Sequence, residues 1–134
     1  MAKIISFISR KGGTGKTTNA INLAGFLHQI KKKVILIETD PNYTANSLRQ
    51  LELFKNKKEA ASFFHIAGSD DDEVANELVK LVNISDYDYI IVDSAGKTTD
   101  KGIKELCLVS DLIILTTSLS QNDLLVTYQT VKDI

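Results

Sequence analysis

Arg10-Lys11-Gly12-Gly13-Thr14-Gly15-Lys16-Thr17-Thr18 follows an apolar, β-branched run, Ile4 to Ile8, and precedes a segment in which Ile21, Ala24, Leu27 and Ile30 recur at near-helical spacing. Strand, glycine-rich loop, helix is the context that a phosphate cradle requires. Glycine lacks the Cβ that would block a phosphate, and it adopts the positive φ angles that turn successive amides inward. The helix that follows adds the partial positive charge of its N-terminus. In such a cradle Lys16 places an ammonium on the terminal phosphates, and the Thr17 hydroxyl is a ligand of Mg²⁺. Lys11, Gly12, Gly13, Thr14, Gly15 and Thr18 complete the loop and the first helical turn. A turn that binds nothing has no need of Gly-Lys-Thr after its glycines.

Three more apolar runs lie outward from this loop: Val34 to Ile37, Tyr89 to Val92 and Leu112 to Leu115. Their unbroken apolarity predicts strands buried on both faces, as in a parallel sheet. Helical patterns separate them. Lys31-Lys32-Lys33 closes the first, where cations suit a helix C-terminus. Val74, Leu78, Leu81 and Val82 form the second, with Ser69, three residues before Asp72, expected as its N-cap. Leu48, Leu51 and Phe54 suggest a further helical face, and Ala61, Phe64 and Ile66 another. Asp70-Asp71-Asp72-Glu73 reads as a solvated helix N-terminus favoured by the macrodipole. Strand and helix alternate, which predicts an α/β fold: a three-layer, open, mostly parallel sheet flanked by crossover helices.

Acidic residues close two of the strands. Glu38-Thr39-Asp40-Pro41 follows the second, at the rim where open α/β sheets bind ligands. Tyr89-Ile90-Ile91-Val92-Asp93 is an apolar strand ending in a carboxylate, the form of a Walker B motif, and Asp93 is expected in the shell of Mg²⁺.

The chain has 134 residues, and 16 Lys+Arg against 17 Asp+Glu leave a formal charge of −1. That balance excludes a surface that is a polycation throughout, and 43% apolar content excludes a disordered chain. One domain, residues 1–134, is expected. The single cysteine cannot form an internal disulfide, which fits a reducing compartment. No apolar run reaches membrane-spanning length, and Met1 leads into Ile4 without a signal-peptide layout, so a cytoplasmic location is expected.

The loop departs from the general G-x-x-x-x-G-K-S/T pattern, with Arg10 at the first glycine's position and Lys11 just after it. Here the chain resembles the deviant Walker A P-loop ATPases of the ParA/MinD group, whose loop reads K-G-G-x-G-K-S/T. The resemblance implies a Mg²⁺-dependent ATPase that dimerises around ATP and serves plasmid or chromosome partition. It implies that Lys11 touches the partner's phosphates across a homodimer, and that Asp40, in an acidic-x-Asp-Pro segment, positions the attacking water and lies near the metal. Glu38 then helps to orient the metal shell, and the backbone of Ser94-Ala95-Gly96 senses the γ-phosphate. A small DNA-binding partner that stimulates hydrolysis and contact with non-specific DNA are expected by the same resemblance. Lys31 to Lys33 with Lys55, Lys57 and Lys58 would form part of a DNA face, although solvated helix ends explain them as well.

Two other functions stay open: a MinD-like positioning ATPase at a membrane, for which this chain shows no amphipathic basic segment, and a truncated, non-catalytic interaction module. The family continues past the pattern Leu124, Leu125, Tyr128 and Val131, so the domain is expected to lack its C-terminal part. Cys107 reads as a buried small hydrophobe, and His28 and His65 as solitary residues that build no metal site.

Overall fold

A computed structural model describes residues 1–9, 15–39, 47–51, 64–69, 73–94, 100–116, 125, 128, 129, 131 and 132. The elements, in chain order, are β1 (Lys3–Ile8), α1 (Lys16–Gln29), β2 (Val34–Glu38), β3 (His65–Gly68), α2 (Val74–Ile84), β4 (Tyr89–Asp93), α3 (Asp100–Val109) and β5 (Leu112–Leu115). The strands form one sheet in the order β3-β2-β4-β1-β5, and every neighbouring pair is parallel.

Strand periodicity divides the apolar runs between two cores, since successive side chains point to opposite faces. Phe7, Val34, Leu36 and Ile91 pack with Ala20, Ala24 and Leu27 of α1. Ile4, Ile8, Ile35, Ile37, Ile90 and Val92 pack on the other face with Val74 and Leu78 of α2 and Ile103 and Leu106 of α3. Two covered faces explain why these strands read as continuous apolar runs. The fold is the expected three-layer parallel architecture.

The helices differ from their expected patterns in instructive ways. In α1 the buried face is Ala20, Ala24 and Leu27, while Ile30 is 47% exposed beyond the helix end. That end is a Schellman motif: the Lys31 amide donates to the His28 carbonyl and the Lys32 amide to the Leu27 carbonyl. Lys31 occupies the left-handed position at φ 70°, where a side chain costs roughly 1–2 kcal/mol.

The second helix begins at Val74 with Glu73 at its N-cap, so Ser69 is not the cap. Ser69 instead ends β3, its amide donating to the Glu38 carbonyl and its hydroxyl to Glu77. Residues 65–68 form a strand where a helix is expected from Ala61, Phe64 and Ile66. The reason is the exposed edge: His65, Ala67 and Gly68 face solvent, and only Ile66 packs toward the core. Such a strand carries no continuous apolar run. Leu48 and Leu51 are helical and about half exposed, as are Leu125, Tyr128 and Val131; Phe54, Ala61 and Leu124 lie outside the described residues. Cys107 is half-buried against the α2–α3 core, and burial pushes its thiol pKa up.

Candidate functional site

Parallel register places the two acidic strand ends side by side. Glu38 and Asp93 are partners between β2 and β4, and Phe7 of β1 is Asp93's partner on the other side. Registered partners share a face, and the alternation that sends Leu36 and Ile91 to the α1 side sends Glu38 and Asp93 there too. Both carboxylates are about 1% exposed. Ionised carboxylates at that depth require charged or hydrogen-bonding partners.

The start of α1 supplies them to Asp93. Lys16 Nζ forms an ion pair with Asp93 Oδ1, and Thr17 Oγ1 donates to Asp93 Oδ2 at 2.8 Å. The first turn of α1 thus holds both oxygens of the Asp93 carboxylate. Glu38 has hydrogen-bonding or electrostatic partners of its own.

The helix start itself is built to face negative charge. Its N-cap is Gly15 at φ 81°, with no side-chain cap and no acidic residue in the first turn. The first amides of a helix have no partner within the helix, and a lysine in the first turn works against the macrodipole unless an anion stands opposite. A Cβ at Gly15 would lie 3.4 Å from Asn19 Nδ2, so the positive φ rather than crowding calls for glycine there.

The strand ends are locked by backbone bonds. The Thr39 amide donates to the Asp93 carbonyl at 3.1 Å, and the Ser69 amide to the Glu38 carbonyl at 2.9 Å. Ser94 turns both its amide, at 3.2 Å, and its hydroxyl, at 2.9 Å, onto the Phe7 carbonyl. The Ser94 amide is thus taken up within the fold. The polar clamp of Ser94 and Ser69 was not visible in the sequence, since an isolated serine after a strand carries no pattern.

Among the sequence-predicted site residues, the structure brings together Lys16, Thr17 and Asp93, with Glu38 beside Asp93 and Gly15 and Thr18 in the same turn. Lys11, Gly12, Gly13, Thr14, Asp40, Ala95 and Gly96 lie outside the described residues. Among the described residues no three His, Cys, Asp or Glu side chains converge as metal ligands. A hydroxyl and a carboxylate set together suit a hard divalent cation that keeps most of its waters, as Mg²⁺ does, and Lys16 suits phosphate. Among the described residues no helix is long and apolar enough to cross a membrane.

Comparison with known proteins fits this geometry. Residues 2–84 match the family described as AAA domain. The maintenance of carboxysome distribution protein A of Gloeobacter kilaueensis is 27% identical over 129 residues, 96% of this chain and 55% of that protein. The sporulation initiation inhibitor protein Soj of Bacillus subtilis is 47% identical over 47 residues, 35% of this chain and 19% of its own length. Among solved structures, apo McdA from Cyanthece superposes with a TM-score of 0.75 at 25% identity, covering 99% of this chain and 65% of that one. The septum site-determining protein MinD of Pyrococcus horikoshii, complexed with Mg-ADP, gives 0.68 at 22% identity, covering 98% and 64%. The chain spans about half the length of the carboxysome-distribution relative.

Proposed function

We propose, from the premise that this chain belongs to the AAA domain family as a ParA/MinD-like P-loop ATPase domain, that it is a cytoplasmic ATP-dependent dimerisation switch that distributes a cargo, with plasmid or chromosomal DNA the leading candidate. The observation that carries this reading is the first turn of α1, where Lys16 and Thr17 both engage Asp93. Lys16 and the loop amides of Gly12 to Thr18 bind the phosphates. Thr17 and Asp93 hold Mg²⁺, which supplies neutralisation of phosphate charge when bound. Asp40, two residues past Glu38 in the chain, orients the attacking water, with Glu38 fixing the polar surroundings. Lys11 reaches the nucleotide of a second copy and acts like an arginine finger. The chemistry is phosphoryl transfer to water, performed by positioning and neutralisation rather than by a covalent intermediate.

Cargo is the open choice within this reading. A match to the chromosome-partitioning ATPase Soj of Thermus thermophilus, 49% identical over 43 residues, 32% of this chain and 17% of that protein, supports DNA partition, for which the reading adds a small DNA-binding partner that stimulates hydrolysis and non-specific DNA as the track. The match over 96% of the chain to a carboxysome-distribution protein supports a second cargo class, a protein-bounded body moved by the same switch.

The test is ATP affinity, turnover and ATP-dependent dimerisation of the chain and two variants. Asp40→Ala is expected to bind ATP, lose hydrolysis and give a longer-lived dimer. Lys11→Ala is expected to bind ATP but lose the dimer, with turnover lowered on the order of 10³-fold. A wild-type chain that binds no ATP would replace the switch with an interaction module, and normal turnover in Asp40→Ala would remove that residue from the water.

A further inference from the structure

The end of the sheet opposite the phosphate loop carries a cavity of about 490 Å³, within the size range of small-molecule sites. Buried Val34 and Phe64 form its apolar floor, and His28, Lys31, Lys32 and Lys33 line it as well. His65 and Tyr87 complete the lining, their rings edge to face at 5.7 Å, with His65 Nδ1 and Tyr87 Oη hydrogen-bonded at 2.6 Å. Val34 and Glu38 stand at opposite ends of β2, about 13 Å apart at the ordinary strand rise, so this cavity is separate from the Lys16–Asp93 corner.

Its charge is uneven. Lys33 is paired with Asp86 on the rim, while among the described residues Lys31 and Lys32 have no ion-pair partner. Lys31 stands at φ 70°, in the Schellman position where glycine is the default. A glycine there would close α1 with less strain and would deliver no ammonium. Two histidines that look solitary in the sequence line the same cavity, so the lining combines two ammonium groups without an ion-pair partner among the described residues, the one donor left over by the His65–Tyr87 hydrogen bond, and an apolar floor.

We propose that this cavity is a second anion site, which binds a small phosphate monoester carrying a flat apolar group. The ammonium groups of Lys31 and Lys32 act as point charges on the phosphate, and the organic part lies between the His65–Tyr87 pair and the Val34–Phe64 floor. A concave site of this volume suits a small molecule better than a duplex backbone, and the exposed Asp86 on the rim opposes a continuous polyanion.

The experiment titrates phenyl phosphate and inorganic phosphate into the full chain and follows backbone and imidazole NMR shifts. Phenyl phosphate is expected to shift His28, Lys31, Lys32, His65 and Tyr87, saturating at lower concentration than inorganic phosphate. Lys31→Gly and Lys32→Ala together are expected to weaken it by about tenfold, while the unfolding midpoint of Lys31→Gly stays level or rises and ATP affinity is unchanged. Asp86→Asn is expected to tighten it by about twofold. Shifts confined to the glycine-rich loop, or an undiminished affinity in the double variant, would overturn the proposal. So would a short DNA duplex that shifts these residues when neither phosphate does, which assigns the face to nucleic acid.

Discussion

At the carboxyl end of the sheet Lys16 meets Asp93 with side chains 10% and 2% exposed, and at the amino end Lys33 meets Asp86 with side chains 63% and 79% exposed. The residue types are the same and the physics is not. Water screens the amino-end pair, and exposed pairs of this kind contribute little to stability. The buried pair has given up its hydration, so each partner depends on the other. Protein interiors tolerate such charge where it has work to do, and this one sits on the first turn of a phosphate-loop helix. The amino-end pair helps to join β2 to the turn before β4, where the Lys33 amide also donates to Asp88 Oδ2 at 2.8 Å.

Four measurements would break or sharpen that contrast. The largest effect is expected for Lys16→Ala, which strands the Asp93 carboxylate: about 3–5 kcal/mol of stability by chemical denaturation, together with loss of ATP binding. Undiminished ATP affinity would sink the phosphate role of Lys16, and an unchanged denaturation midpoint would show that the carboxylate finds another partner. Thr17→Val removes the second hydrogen bond to Asp93 and should cost about 1.5–3 kcal/mol, read in the same way. Gly15→Ala puts a Cβ on a residue at φ 81° and should cost roughly 1–2 kcal/mol; a neutral result would mean that the turn relaxes.

The smallest effect belongs to Asp86→Asn, whose unfolding midpoint at neutral pH and moderate salt should fall only slightly below that of the wild type, since water and salt screen the exposed pair. Its signature is in pH dependence. The hydrogen bond and charge of Lys33 lower the Asp86 pKa, so that contribution is present above the ordinary carboxylate range and lost as pH falls through the lowered value. Asp86 in turn raises the Lys33 pKa, so the lysine's contribution is complete below its ordinary value and lost as pH rises through the raised one. A wild-type chain whose acid and alkaline limbs coincide with those of Asp86→Asn would show that the pair does not couple to folding at all.

The family was legible from its glycine-rich motif because the chemistry such a motif serves is local. Glycines, a lysine and a hydroxyl must follow one another within a few residues for one backbone turn to serve a phosphate. Strands β1, β2, β4 and β5 were legible for a related reason, since burial on both faces leaves a continuous apolar run. β3 escaped because an edge strand needs apolar residues on only part of one side, and His65, Ala67 and Gly68 leave no such run. The N-cap assigned to Ser69 failed because a serine satisfies a strand end as readily as a helix start, and the choice was made by Glu38 and Glu77 from other elements.

Taken alone, the sequence determined the layer architecture, the family motif and which acids close the strands, all of which depend on neighbours along the chain. The tertiary structure decided which of those acids meet. Glu38 and Asp93 lie 55 residues apart in the sequence and become register partners only because β4 inserts between β2 and β1. It also decided that Lys16 is buried against Asp93 while Lys33 stays in water, a difference of solvation that no local pattern encodes, because it depends on what the rest of the fold lays over each pair.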